Sequence, residues 1–383
     1  MADLERDDAE DDAGPLLLTP GPLTTAAATR RAMLRDRGSR DPEFVALTAG
    51  IRRRLVDLAG AADSHVCVPI QGSGTFAVEA MLGTLVPPTG RTLVVVNGAY
   101  GRRMAKILDV MGRSNTVAET PEDLPVDPTA VDAALSADAE ISHVAFVHCE
   151  TTSGVLNPLD DIAAVVERHR RSLLVDAMST FGALPLDART TPFDALAASA
   201  NKCLEGVPGL AFVIATRSVM EAATGNAHSL SLDLHDQWRA MEANGQWRFT
   251  PPTHVVAALT AALDGLDAEG GVSGRNRRYA ENCRVLVDGM RALGFETLLD
   301  DDHQAPIIVT FKEPADPAFE FARFYELLRQ RGFAIYPGKL TAQPSFRIGC
   351  IGAIDAEDMR AAVAAVADSL QDLGIPGLRT RLS

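Results

Sequence analysis

The stretch Ser199–Gly209, SANKCLEGVPG, sets one lysine, Lys202, between an apolar run ending in DALAAS and a loop with two glycines and a proline. The loop is followed at once by a second apolar run, GLAFVIA, from Gly209. Lysine is scarce in this chain and most positive charge is carried by arginine, so an amine at the mouth of a buried strand needs a reason. Reading outward, similar short runs recur: TLVVV from Thr92, HVAFVH from His143 and SLLVDA from Ser172. They are nearly continuous in Val, Leu, Ile and Phe rather than alternating, which suits a parallel sheet covered on both faces. Helical stretches such as DDIAAVVERHRR separate several of them, and strand–helix alternation predicts an α/β layered domain. In open sheets of this kind ligands bind beyond the C-terminal ends of the strands.

The bulk properties agree. A chain of 383 residues with 46% hydrophobic and 23% charged residues is globular, and its length predicts one large domain and a smaller one. The formal net charge of -15 disfavours nucleic acid and anionic membranes as partners. Five scattered cysteines without a CxxC pair predict reduced thiols and a cytoplasmic setting. No run is apolar enough to span a bilayer. Residues 1–15 are acidic and read as a disordered tail. Residues 16–255 read as an extended arm plus the large domain, with a helix in TTAAATRRAML capped by Thr24 or Thr25 and another over Phe44–Leu58. Residues 256–383 change character, with long helical patterns and then short strands at PIIVTF, FAIYPG and SFRIGCIG. They read as a smaller α+β domain.

Five predicted strand ends carry polar chemistry. GSGT (Gly72–Thr75) opens a helix. NGAYG places Tyr100, HCETTSG places Glu150, Thr151 and Thr152, VDAMSTFG places Asp176, and SANK places Lys202. Each alone has an ordinary explanation: a glycine turn, a packed ring, a surface lysine. A carboxylate closing so apolar a strand as SLLVD needs a partner. Together they supply what pyridoxal 5'-phosphate requires. A lysine forms the covalent link, a carboxylate keeps the ring nitrogen protonated, and a helix N-terminus binds the phosphate. Lys202 should then have a pKa well below the ordinary lysine value, because only its neutral form is a base.

At this point the chain resembles the class V, fold-type I pyridoxal-phosphate aminotransferases. The matching words run from Leu16 almost to the C-terminus and include LLLTPGPLTT, QGSGTFAVEAMLG, NGAYGRRM, LLVDAMSTFGALPLD, SANKCLEGVPGLAFVIA, WRFTPPTHVV and FRIGCIG. The resemblance implies that Ser73, Gly74 and Thr75 hold the cofactor phosphate and that Tyr100 stacks on the ring. It implies that Thr152, or its neighbour Thr151, approaches the phenolate oxygen, that Asp176 pairs with the ring nitrogen and that Lys202 holds the cofactor and shuttles protons. Thr250 would reach the phosphate of a neighbouring subunit's cofactor in a homodimer, and Arg347 would grip the anionic end of the substrate. No metal is implied. The implied reaction moves the amino group of 2-aminoethylphosphonate to pyruvate. The alternatives are a relative using another small amine, of the alanine–glyoxylate or serine type, and a non-catalytic cofactor-binding module. One departure from the family pattern is RDRGSRDPEF (Arg35–Phe44), whose Arg35, Arg37 and Arg40 bear on the choice of donor.

Overall fold

The computed structural model describes residues 14–338, 341–375 and 378. The expected acidic tail, apart from Gly14 and Pro15, lies outside the described residues. The arm runs through β1 (Leu16–Leu17) into α1 (Ala27–Arg31) and α2 (Pro42–Leu58). The alternating part follows as β2 (His65–Gln71), α3 (Gly74–Leu85), β3 (Arg91–Val96), α4 (Ala99–Val110), β4 (Ser114–Glu119), α5 (Pro128–Ala137) and β5 (Ile141–Val147). A short ribbon of β6 (Cys149–Glu150) and β7 (Val155–Leu156) leads to α6 (Leu159–Arg168), β8 (Ser172–Asp176), β9 (Ala195–Ser199) and β10 (Leu210–Thr216). Helices α7 (Arg217–Ala222), α8 (Leu234–Asn244) and α9 (Thr253–Ala268) complete this layer. The remainder is α10 (Gly271–Ala292), β11 (Ile308–Lys312), α11 (Phe321–Gln330), β12 (Phe333–Ala334), β13 (Tyr336–Pro337), β14 (Ser345–Gly349) and α12 (Ala356–Asp372).

The main sheet has seven strands in the order β2-β10-β9-β8-β5-β3-β4. Only β10 runs against its neighbours; the other pairings are parallel. Strand β2, antiparallel to β10, therefore points the same way as β9. The C-terminal ends of β2, β3, β5, β8 and β9 share one edge, and the five polar motifs lie there.

The apolar runs are continuous because both faces are covered. Leu173 and Val175 of β8, with Val144 and Phe146 of β5, enter the core under α2, α6 and α9. Leu174, Ala145 and Val147 enter the opposite core under α3, α4 and α8. A one-residue slip would exchange the two sets. Strand β4 has no such signal. SNTVAE is polar and largely exposed at the sheet edge, so it does not read as a strand from sequence.

Two expectations change. The first helix is not capped by Thr24 or Thr25: it starts at Ala27, Ala26 makes no side-chain cap, and the Thr24 hydroxyl instead accepts the Leu17 N–H at 2.8 Å, pinning the arm. The division at 255/256 falls inside α9, whose Val256, Leu259, Leu263 and Leu266 pack in the large core. We place the boundary after this helix. The arm also crosses over: β1 pairs in parallel with β12, and Leu18 enters the smaller core built around Phe311, Phe324 and Phe346. There β11, β14 and β13 form an antiparallel sheet.

Candidate functional site

Lys202 sits in the turn that joins β9 to β10. That turn is closed by Glu205 N–H donating to the Lys202 carbonyl and Gly206 N–H to the Ala200 carbonyl, both at 2.8 Å. The Lys202 Nζ donates to the Pro20 carbonyl at 2.5 Å. Burial pulls its pKa down to about 8. Gly21, at φ +116°, lies against the stem: a Cβ there would be 2.8 Å from Lys202 Cδ. Only glycine combines that backbone conformation with so close an approach.

Asp176 ends β8 with its carboxylate buried. Oδ1 accepts the Met178 N–H at 3.0 Å. Burial pushes its pKa up to about 6, against the pull of that hydrogen bond and of Lys202 and Arg103. Two buried groups of opposite type, each with its charged form disfavoured by lost solvent, thus face a common space.

That space is a cavity of about 170 Å³. It is lined by Lys202, Asp176, Ser73, Gly74, Thr75, Tyr100 and Thr151, all anticipated from the sequence. Ser73 is the N-cap residue of α3 but makes no side-chain capping bond, so its hydroxyl is left for another partner. A Cβ at Gly74 would lie 2.5 Å from Met178 Sδ, so glycine is what lets the helix start so near Asp176's neighbour. Tyr100 has Arg103 4.6 Å over its ring centroid, and burial raises its phenol pKa. The Thr151 hydroxyl shares a 2.8 Å hydrogen bond with Ser179.

Three anticipated residues do not line the cavity. The Thr152 hydroxyl donates to Glu150 Oε1 at 2.6 Å, and of the two threonines Thr151 is the one that lines the cavity. Thr250 is exposed on the surface. Arg347 is buried beside the loop of Thr151: Nη1 donates to the Thr151 carbonyl at 2.9 Å and Nη2 to the Pro337 carbonyl at 3.3 Å. Its neighbours Phe346 and Ile348 enter the small core, so strand alternation turns the guanidinium the other way. Its Nε is buried without a partner.

Sequence reasoning missed other contributors. Arg103, Asn201, Ser199, Met178 and Gly21 also line the cavity. Arg103 was within reach of sequence, being one helical turn after Tyr100 on the same face. Glu150 was placed but given no task. Its fully buried carboxylate accepts Tyr100 N–H at 3.1 Å, Thr152 N–H at 3.2 Å and the Thr152 hydroxyl, fixing the start of α4. The arginines of Arg35–Phe44 are partly spent nearby: Arg35 forks onto Glu43 at 2.8 and 3.1 Å, and Arg37 binds the Ala32 and Arg35 carbonyls.

An amine, a carboxylate, an aromatic ring and an open helix N-terminus around one cavity form the donor set that a phosphorylated pyridine aldehyde would need, so the residues fit that cofactor. Residues 28–367 match the Aminotransferase class-V family. The chain belongs to that family, and its fold is that of the fold-type I pyridoxal-phosphate aminotransferases. It is 57% identical over 363 residues to a 2-aminoethylphosphonate–pyruvate transaminase of Pseudomonas fluorescens, covering 95% of this chain and 98% of the relative. A Burkholderia lata 2-aminoethylphosphonate–pyruvate transaminase 2 is 58% identical over 95% of this chain and 96% of its own length. Among solved structures, the pyridoxamine–pyruvate aminotransferase of Mesorhizobium loti superposes with a TM-score of 0.86 at 25% identity, covering 95% of this chain and 94% of that one. The alanine–glyoxylate aminotransferase of Nostoc sp. gives 0.87 at 22% identity over 94% and 96%, a likeness of fold.

Proposed function

We propose that the protein transfers the amino group of 2-aminoethylphosphonate to pyruvate, giving phosphonoacetaldehyde and L-alanine, with pyridoxal 5'-phosphate as cofactor. The observation that carries the reading is the 57–58% identity to relatives of that activity over 95% of the chain.

The bound cofactor would supply an electron-poor ring that accepts the electron pair released at the carbon bearing the substrate nitrogen. The chain's residues would do the rest. Lys202 holds the cofactor between turnovers and, once released, moves a proton to and from that carbon. Its pKa of about 8 leaves a useful neutral fraction near neutral pH. Asp176 holds a proton at the ring nitrogen; in a buried site that pairing also stabilises its own charge. Ser73, Gly74 and Thr75 bind the phosphate at the start of α3, where the helix dipole favours an anion. Tyr100 offers a ring face to the pyridine, and Thr151 rather than Thr152 offers a hydroxyl to the phenolate oxygen.

Arg347 would bind the phosphonate of the donor and the carboxylate of pyruvate in turn. Two of its five donors are held by backbone carbonyls and orient the group; the others remain for an anion. In a chain of net charge -15, a doubly charged donor needs such a local cation. A homodimer, with Thr250 reaching a partner's site, and a cytoplasmic location belong to the same reading. Support for the location comes from five buried, free cysteines.

The test is a half-reaction panel. The cofactor-loaded protein is mixed separately with 2-aminoethylphosphonate, taurine, serine, alanine and glycine, and the visible absorbance of the bound cofactor is followed. Rapid loss with 2-aminoethylphosphonate, and with alanine in the reverse direction, supports the proposal. Loss with serine or glycine alone would redirect the donor assignment. Borohydride reduction and peptide mapping should put the label on Lys202.

A further inference from the structure

Glu205, three residues beyond Lys202, has its backbone in the left-handed region, at φ +59°. A side-chain-bearing residue stays there only where its surroundings hold it. Here a buried cluster does so. Glu205 Oε1 accepts the Tyr279 hydroxyl at 2.6 Å and Arg278 Nη2 at 2.7 Å, with Arg275 Nη1 at 3.5 Å. Arg275 Nη1 also donates to the Cys203 carbonyl at 2.5 Å, next to Lys202 in the chain. Glu269 balances the second positive charge, accepting Arg275 Nε at 2.6 Å and Arg278 Nε at 2.8 Å. Two carboxylates and two guanidiniums thus neutralise one another, with Glu205 and Arg275 buried and Glu269 and Arg278 half-buried.

Arg275, Arg278 and Tyr279 lie on α10, beyond the boundary that follows α9, and the latter two also hold the chain that leaves β14. Arg278 Nη1 donates to the carbonyls of Gly352 at 2.5 Å and Ile354 at 2.8 Å. The Gly352 N–H donates to the Tyr279 hydroxyl oxygen at 3.2 Å. Gly352 lies five residues past Arg347, on the chain leaving β14. Buried ion pairs hold elements together no better than apolar packing, because both charges lose their water. What directional bonds add is register.

We propose that Glu205 is a positioning residue that, through Arg275, Arg278 and Tyr279, registers the Lys202 turn against the end of the strand bearing Arg347. The amine and the guanidinium then keep a fixed spacing although they belong to different domains. The inference rests on the proposed roles of Lys202 and Arg347, but the coupling itself is mechanical and can be measured without turnover.

Backbone hydrogen exchange of the cofactor-loaded protein tests it, comparing wild type with Glu205→Ala, Glu205→Gln and Tyr279→Phe. In Glu205→Ala, exchange should rise about tenfold or more in both 203–206 and 350–354, while β4 and α5 stay at wild-type rates. Glu205→Gln keeps an acceptor oxygen in place and should restore both segments to within about threefold. In steady state Glu205→Ala should lower kcat by about tenfold or more with little change in KM, the pattern of lost alignment rather than lost binding. Loosening of only one segment, even loosening over the whole chain, or unchanged kcat would overturn the proposal. If Glu205→Ala does not fold, Tyr279→Phe removes one donor and is read by the same criteria. A wild-type protein that binds no cofactor at Lys202 would defeat the functional reading, yet the exchange comparison could still be made on the unloaded protein.

Discussion

Lys202 Nζ and the Pro20 carbonyl oxygen meet at 2.5 Å, so the amine at the end of β9 is held by the arm that precedes the whole large domain. Burial keeps that amine at about 8 rather than its ordinary 10.5. Between those values the unfolded chain binds more protons than the native one, so stability rises with pH through the window. The burial penalty is full below about 8 and gone above 10.5. At about 1.4 kcal/mol per unit the effect is at most about 3 kcal/mol. Cofactor-free Lys202→Met should therefore be the more stable protein at pH 7, with the gap closing toward pH 10. Urea unfolding of both proteins at several pH values checks this, and a gap independent of pH would count against it.

Asp176 titrates with the opposite sense. Its pKa rises from 3.8 to about 6, so the native state binds more protons in that interval and stability falls as pH rises through it. Asp176→Asn should flatten this slope and raise the stability of the cofactor-free protein at pH 7 by up to about 3 kcal/mol. The same variant should lose turnover by orders of magnitude, because an amide does not hold the ring nitrogen protonated. A folded, fully active Asp176→Asn enzyme would contradict the assignment.

Arg347→Lys keeps the charge but loses the planar fork. It also frees at least one of the Thr151 and Pro337 carbonyls. Specificity for both phosphonate donor and pyruvate should drop by about two to three decades, equivalent to roughly 2–4 kcal/mol. The cofactor spectrum should be nearly unchanged. Steady-state kinetics on each substrate, with a spectrum of the loaded variant, decides the matter.

Thr250 stands exposed and apart from the cavity of its own chain. In a homodimer with shared sites, mixing inactive Lys202→Ala subunits with Thr250→Val subunits should regenerate some sites carrying both wild-type residues. Activity above the sum of the separate variants, with a dimer mass by light scattering, is the expected result. A fully active monomer would refute it.

How far the site could be read in advance differs by residue. Lys202, Asp176, Tyr100 and the Ser73–Thr75 turn each follow directly from a buried strand. The run fixes where the strand ends, and the parallel sheet carries every such end to one edge. Arg347 came from the family resemblance, and its strand neighbours Phe346 and Ile348 entering the small core are what turn it toward the Thr151 loop. Strand β4 and the true start of the first helix were not legible. One is polar at an exposed edge, and in the other the threonine hydroxyl found a tertiary partner in Leu17 instead of its local helix.

What local order determined, then, is the set of strands, their two-sided burial and the chemistry waiting at their ends, because periodicity and residue type act over a few neighbouring residues. The commitment of Thr152 to Glu150, the partial use of Arg347 by two carbonyls, the pairing of β1 with β12 beside the smaller core and the membership of α9 in the large core were decided only by tertiary structure. Each depends on which of several possible hydrogen-bond or apolar partners comes within a few ångströms. For the Lys202–Pro20 contact those partners lie 182 residues apart in the chain. Distances of that kind are set by packing of the whole fold, and no window of sequence contains them.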